Sequence, residues 1–225
     1  MTGVARSERM DGRAAKQARN RRLIVAAAHD LFAERGFAAT PVTVIASAAG
    51  VAAQTVFNHF PRKEEMFFDG RCVWLEIVDH LARHPDRHTS GPALVDLVST
   101  LVAAHLERLE EPAARTALAD LAGDPGLHLW ERGLQQRAAQ AIGTHIARHA
   151  PEAVAAAAQR CGALTVAEVA VVVEDRRRAL LDQGASAPRT SAEQVHALLV
   201  DRLTDQHDLV VAQVLVSPAH RGPVP

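Results

Sequence analysis

Gln54, Thr55 and Asn58 place two carboxamides and a hydroxyl in close succession. A carboxamide holds a donor beside an acceptor, so Gln54 can pair two ways with adenine, while Thr55 and Asn58 can meet bases or phosphates. Phe57 adds an apolar ring suited to a sugar or a thymine methyl, and Ala53 opens the same segment. His59 and Lys63 suit backbone phosphates just beyond it. Arg19, Arg21 and Arg22 can neutralise neighbouring phosphates, or reach a minor groove if an amino-terminal arm extends. Thr43 falls near a helix start, where free N–H groups support a phosphate contact. The chemistry these residues offer is recognition of double-stranded DNA. Polar residues on a short amphipathic helix are more ordinarily a solvated face, so the surrounding elements must decide between the two readings.

Those elements are legible. Ile24, Ala27, Ala28, Leu31 and Phe32 follow the spacing of one buried helical stripe, which predicts a helix over about Lys16–Arg35. Gly36 sits where a left-handed cap would end it. Thr40-Pro41 then predicts a second helix, with Thr40 as cap and Val42, Ile45, Ala46 and Ala49 on its inner face. Gly50 breaks that helix and Val51 plugs the corner. A third covers roughly Ala53–His59, with Val56 and Phe60 pointing inward and Gln54, Thr55 and Asn58 on another face. This is a helix–turn–helix whose last member can be pushed into a major groove while its back stays anchored.

Charge supports the DNA reading. Residues 1–63 hold ten Lys/Arg against four Asp/Glu, whereas the remainder holds fifteen against twenty-two. A basic amino-terminal part on an acidic body suggests that the first part meets a polyanion. A basic tail of no consequence is the alternative. Aromatic residues make up 4% of the chain, Tyr is absent and Ala is abundant, which favours helices. Cys72 and Cys161 lack any metal-ligand spacing, and two such cysteines fit a reducing cytoplasm. The polar, basic first residues argue against a secretory signal, and no apolar run is long enough to span a bilayer.

At these residues a family resemblance emerges. Ala27–Leu31–Phe32–Gly36–Phe37, then Val42-x-x-Ile45-Ala46-x-x-Ala49-Gly50-Val51, then Thr55-Val56-Phe57-Asn58-His59-Phe60-x-x-Lys63-Glu64 resemble the DNA-binding domain of TetR-type transcriptional repressors. The resemblance covers about 16–70. Three positions depart from the pattern. Ala52 stands where a capping Ser is frequent, Phe57 where Tyr is usual, and Pro41 replaces a common polar residue.

The body beyond reads as helices throughout. A long fourth helix is expected from about Arg62 to Arg83, a fifth from Pro92 to Glu110, a sixth opening at Pro112, and a seventh from Asp124-Pro125 to His149. Thr165 with Glu168 and Ser191 with Gln194 fit capping boxes and predict helices at about 166–183 and 192–215. Val169–Val173 is β-branched and could be a strand, although its neighbours favour helix. The expected architecture is all-α. It comprises a flexible basic arm (1–15), the helix-turn-helix domain (16–62), a larger helical effector-binding and dimerisation domain (63–216), and a disordered tail (217–225).

The resemblance implies an effector pocket among helices four to seven and a dimer interface from the last two. Candidates for the pocket are Phe68, Cys72, Leu75, Leu101, His105, Leu121 and Trp130, with plain core packing as the alternative for each. Candidates for the interface are Val166, Val169, Val173, Leu180, Val195, Leu198, Leu199 and Leu203, although a monomer core would look the same. One three-helix unit contacts too few base pairs to select a site, so a two-fold homodimer on a palindromic operator is expected.

Other motifs are weaker. Glu193-x-x-His196 is half of a di-iron bundle pattern and lacks its partners. His145 and His149 lie one turn apart without a third ligand. Arg176-Arg177-Arg178 could be a second basic patch or a solvated face. No phosphate loop or nucleophile elbow is present, so neither an enzyme activity nor a metal or other cofactor is expected. The sequence therefore predicts a cytoplasmic repressor, released from its operator by a small molecule. An effector-independent DNA binder or activator is the alternative, and a helical metalloenzyme a remote one.

Overall fold

Ile24, Ala28, Leu31 and Phe32 lie buried along one side of α1 (Val4–Arg35). The computed structural model describes residues 4–149, 157–183 and 191–205, and among these the regular structure is entirely α-helical. α1 starts well before Lys16, so residues 4–15, expected as an arm, continue the helix. No proline interrupts this stretch, and Ala14, Ala15, Lys16 and Gln17 are good helix formers. The expected tail at 217–225 lies outside the described residues.

α2 (Val42–Ala48) and α3 (Ala53–His59) follow as anticipated. Gly36 (φ +80°) and Gly50 (φ +66°) supply the left-handed turns before each. Thr40 does not cap α2. It is fully buried, and its hydroxyl donates back to the Gly36 carbonyl at 2.8 Å, closing the end of α1 instead.

The single helix expected up to Arg83 is two. α4 (Lys63–Phe68) ends at a turn where Gly70 takes φ +68°, and α5 (Val73–Arg83) follows as a separate helix. α6 (Gly91–Leu109) is capped by Ser90, and α7 (Ala114–Gly123) follows. α8 (Pro125–His149) opens as predicted, with Asp124 Oδ1 accepting from the Gly126 and Leu127 N–H groups at 2.8 and 3.0 Å.

α9 (Ala158–Gln183) begins ahead of the expected start near 166 and is helical through Val169–Val173. The capping box at Thr165 is absent. Thr165 is buried mid-helix and donates to the Cys161 carbonyl at 2.8 Å, while Glu168 meets Arg202 at 3.3 Å. The box before α10 (Ala192–Asp205) is present in both directions, with Ser191 N–H to Gln194 Oε1 at 2.8 Å and Gln194 N–H to Ser191 Oγ at 3.2 Å.

α8 packs against α5 and α9, while α10 closes over α6 and α9. α4 and α7 both touch α1, joining the small amino-terminal unit to the body through one continuous apolar core. At the centre, Glu131 accepts from Trp74 Nε1 at 3.0 Å and is held by both terminal nitrogens of Arg177 at 2.7 and 2.9 Å. Burial pushes the Glu131 carboxyl upward, but the Arg177 and Trp74 contacts prevail and hold it below its ordinary value.

Candidate nucleic-acid interface and cavity

α3 is a short prong on a buried stem. Val56 and Phe60 are buried in the same apolar cluster as Ile45, and the Val51 N–H donates to the Ala46 carbonyl at 3.0 Å, setting the turn. Gln54, Phe57 and Asn58 are exposed, and Ala53, Thr55 and His59 are half-buried. Phe57, 47% exposed, is among the most accessible apolar side chains described. Gln54 Nε2 donates to Asn58 Oδ1 at 3.1 Å, so the two amides hold one another at the tip. Ala52 provides no side-chain cap, as its departure from the family pattern implied. Thr43 is exposed near the start of α2, and Arg19 and Arg22 are exposed on α1.

Two expected phosphate contacts are engaged elsewhere. Arg21 pairs with Asp69 at 2.6 Å and lies over the Phe60 ring at 4.3 Å, fastening α1 to α3 and to the α4–α5 turn. Lys63 donates to the Phe37 and Thr40 carbonyls at 2.7 and 3.3 Å and sits over the Phe37 ring at 4.1 Å. Partial burial lowers its ammonium pKa. Lys63 is drawn inward by these contacts, whereas Arg21 remains exposed beside its partners.

Further contacts attach that unit to the body. His29 Nε2 donates to the Met66 carbonyl at 2.9 Å. Burial, aided by the Arg71 cation, pulls the His29 pKa down to about 4, so the ring is neutral at pH 7. From α7, Asp120 Oδ2 accepts the Phe37 N–H at 2.8 Å, directly at the turn before α2. Phe67 of α4 stacks with Phe37 and Phe32 at 5.4 and 6.0 Å.

Behind this junction is a cavity of about 270 Å³. Phe67 and Phe68 of α4, Gly70 and Arg71 of the following turn, and His105, Arg108 and Leu109 of α6 line one side. Ala114, Ala117, Leu118 and Leu121 of α7, Glu111 and Ala113 before it, and Arg177 of α9 complete the wall. Of the pocket candidates, Phe68, His105 and Leu121 line this space. Cys72, Leu75, Leu101 and Trp130 do not. Cys72 is packed in the core, where burial pushes its thiol up to about 12, and Trp130 lies under Arg62 at 5.8 Å. Arg71 and Arg108 escaped the sequence reading, and Arg177 entered it only as part of a basic run. The available signal was the stripe Ala114, Ala117, Leu118, Leu121 on one face of α7, opposite His105, Arg108 and Leu109.

Among the interface candidates, Val166, Val169, Val173, Leu180, Val195 and Leu199 are buried inside the subunit. Their periodicity marks the inward stripes of α9 and α10, not a face offered to a partner. Leu198 is 40% exposed, beside the unforeseen Val171 and Leu181 at 39% and 46%. The side chain of Leu203 lies outside the described residues.

The remaining motifs have structural partners. His145 and His149 donate to the carbonyls of His88 and Pro85 at 3.1 and 2.7 Å, and His196 meets Asp96 at 3.1 Å. Arg176 and Arg177 are drawn inward by Glu110 and Glu131, leaving Arg178 exposed, so the three form no basic patch. Among the described residues no three His, Cys, Asp or Glu side chains converge as a metal site, and no helix is long and apolar enough to cross a membrane.

A short polar helix on a buried helix-turn-helix stem is the geometry with which a protein can present side chains to a DNA major groove. Residues 24–69 match the family described as bacterial regulatory proteins, tetR family. A solved tetR-family transcriptional regulator from Streptomyces coelicolor is 20% identical, with TM-score 0.49 and 91% of each chain covered. NalD from Pseudomonas aeruginosa, the secondary repressor of the MexAB-OprM multidrug efflux pump, is 17% identical with TM-score 0.47, covering 82% of this chain and 95% of that one. A transcriptional regulator of the TerR/AcrR family from Aquifex aeolicus VF5 is 16% identical with TM-score 0.45, covering 82% and 98%. No curated protein matches the chain.

Proposed function

We propose that this protein is a homodimeric, sequence-specific repressor whose hold on a palindromic operator is released by a small molecule in the cavity behind α4. The observation that carries the DNA reading is the exposure of Gln54, Phe57 and Asn58 on a helix whose opposite face is fully anchored. Gln54, Thr55 and Asn58 read base edges, Phe57 meets a methyl or sugar, and Thr43, His59, Arg19 and Arg22 meet the backbone. Arg21 and Lys63 keep the prong at a fixed angle to α1.

The release rests on the junction. The cavity touches Phe67, Phe68 and the wall of α7. The same two helices hold the Phe37 turn through Lys63 and Asp120. A ligand favouring a different packing of α4 against α7 shifts that turn, and with it the separation of two reading helices. A coupling of about 1–3 kcal/mol changes affinity 5- to 150-fold. Leu198, Val171 and Leu181 belong to the partner-facing side of α9 and α10 in this reading. Dimerisation doubles the contacts made by one small unit.

Selection of bound sequences from a random DNA pool tests the proposal. A palindromic consensus bound by a dimer is the expected result. Binding with no sequence preference, or binding indifferent to salt, rejects it, because phosphate contacts release counterions.

A further inference from the structure

The cavity has an unusual polar makeup for a space walled by Phe67, Phe68, Leu118 and Leu121. His105 is 1% exposed and lines it, yet neither ring nitrogen has a hydrogen-bond partner among the described residues. A buried polar group left unpaired is destabilising unless something else satisfies it. The Nε–H groups of Arg108 and Arg177 are likewise buried and unpartnered.

The charges distinguish these cations. Arg108 is paired with Glu76 and Arg177 with Glu131, so each brings its own counter-ion. Arg71 is half-buried and forms no ion pair among the described residues. Asp30 and Glu111 act on it only beyond contact distance, and burial depresses its pKa. Glu111, the one acid lining the space, is exposed. The wall therefore holds one guanidinium without a contacting counter-ion, beside unpaired donors and an apolar floor.

We propose that the cavity binds a small organic monoacid, its carboxylate meeting Arg71 and His105 and its apolar body lying against Phe67, Phe68, Leu118 and Leu121. This rests on the ligand-responsive reading above and names the chemical class of the ligand. One unneutralised cation suits a single negative charge rather than a phosphate dianion. Burial, with Arg177 and Arg108 nearby, lowers the His105 pKa to about 3, so at pH 7 the ring has one N–H donor and one acceptor. The donor serves the carboxylate, and the acceptor favours acids that also carry a hydroxyl. The volume lies at the small end for ligand sites, excluding long-chain or polycyclic acids.

The test is a panel of benzoate, 4-hydroxybenzoate, salicylate, phenylacetate, hexanoate and octanoate, each with its primary amide. Thermal shift and calorimetric titration are run on the full chain, with sodium chloride and sodium phosphate as controls. Stabilisers are expected among the acids, with the matched amides at least about tenfold weaker, the scale of a charge-assisted hydrogen bond. Arg71→Gln should weaken the best acid by a similar factor. His105→Leu should weaken it too while leaving the unliganded protein as stable or more so, which a purely structural histidine would not do. Amides binding as well as acids, no acid binding, or acid binding unchanged in both variants overturns the proposal. An operator-release assay separates the two claims. An acid that binds the cavity without altering DNA affinity sinks the repressor-release reading alone. Release driven by a neutral compound sinks the acid assignment alone.

Discussion

Gln54→Ala separates a reading residue from a structural one. Gln54 is exposed, and its one described hydrogen bond is the 3.1 Å contact to Asn58 a turn away. Such a pair on a helix surface is worth about 0.2–0.5 kcal/mol, so the unfolding midpoint should barely move. A bidentate amide–adenine pair is worth about 1–3 kcal/mol of discrimination, and a two-fold molecule loses it twice. The selected operator should therefore be bound roughly 30-fold to about 20,000-fold more weakly, with random-sequence DNA bound as before. The assay is fluorescence anisotropy on both DNAs at fixed salt, repeated across a salt series. Arg22→Ala is the contrasting variant: it should weaken both DNAs alike and reduce the salt slope by about one charge per subunit. An equal loss on both DNAs for Gln54→Ala, or no loss on the selected operator, would refute base reading by α3.

Stability should fall as pH drops from about 6.5 towards 4. The His29 and His105 pKa values are lowered to about 4 and about 3, chiefly by burial, so the unfolded chain binds protons first. Each ring contributes a slope of about 1.4 kcal/mol per pH unit in that window, measurable by urea unfolding, and His29→Gln should remove one share. Glu131→Gln leaves the Arg177 guanidinium buried without its counter-charge. It should cost about 3–5 kcal/mol by chemical denaturation, and a loss below about 1 kcal/mol would contradict the assigned network. Gly162→Ala would put a methyl 2.2 Å from the Ala139 carbonyl oxygen and 2.8 Å from the Gly143 nitrogen. Because backbone atoms cannot step aside as side chains do, separation of α8 and α9 should cost about 1–3 kcal/mol, read from the thermal midpoint.

The helix-turn-helix was readable because its signals are local. A stripe at helical spacing, glycine turns at Gly36 and Gly50 and a run of uncharged polar residues each act within a few positions of themselves. The same holds for the caps at Asp124 and Ser191. Where a local signal had two uses, the tertiary structure chose. Thr165 had the spacing of a cap but bonds backwards within a longer helix, since the chain before it packs on α8. The turn at Gly70, and with it the division of α4 from α5, was masked by an apolar pattern that continues across it.

The sequence by itself determined that the described chain is helical and where the short, outward-facing polar helix α3 lies, because periodicity and turn signals are written in neighbouring residues. Only the tertiary structure decided where the charges went. Arg21, Lys63, Arg176 and Arg177 look alike in sequence as surface cations, yet each is claimed by an acid, a carbonyl or a ring on another element. The inward stripes of α9 and α10 and the arginine-lined cavity belong with them. Burial and ion pairing depend on what distant residues bring into contact, and spacing along one helix carries no record of that.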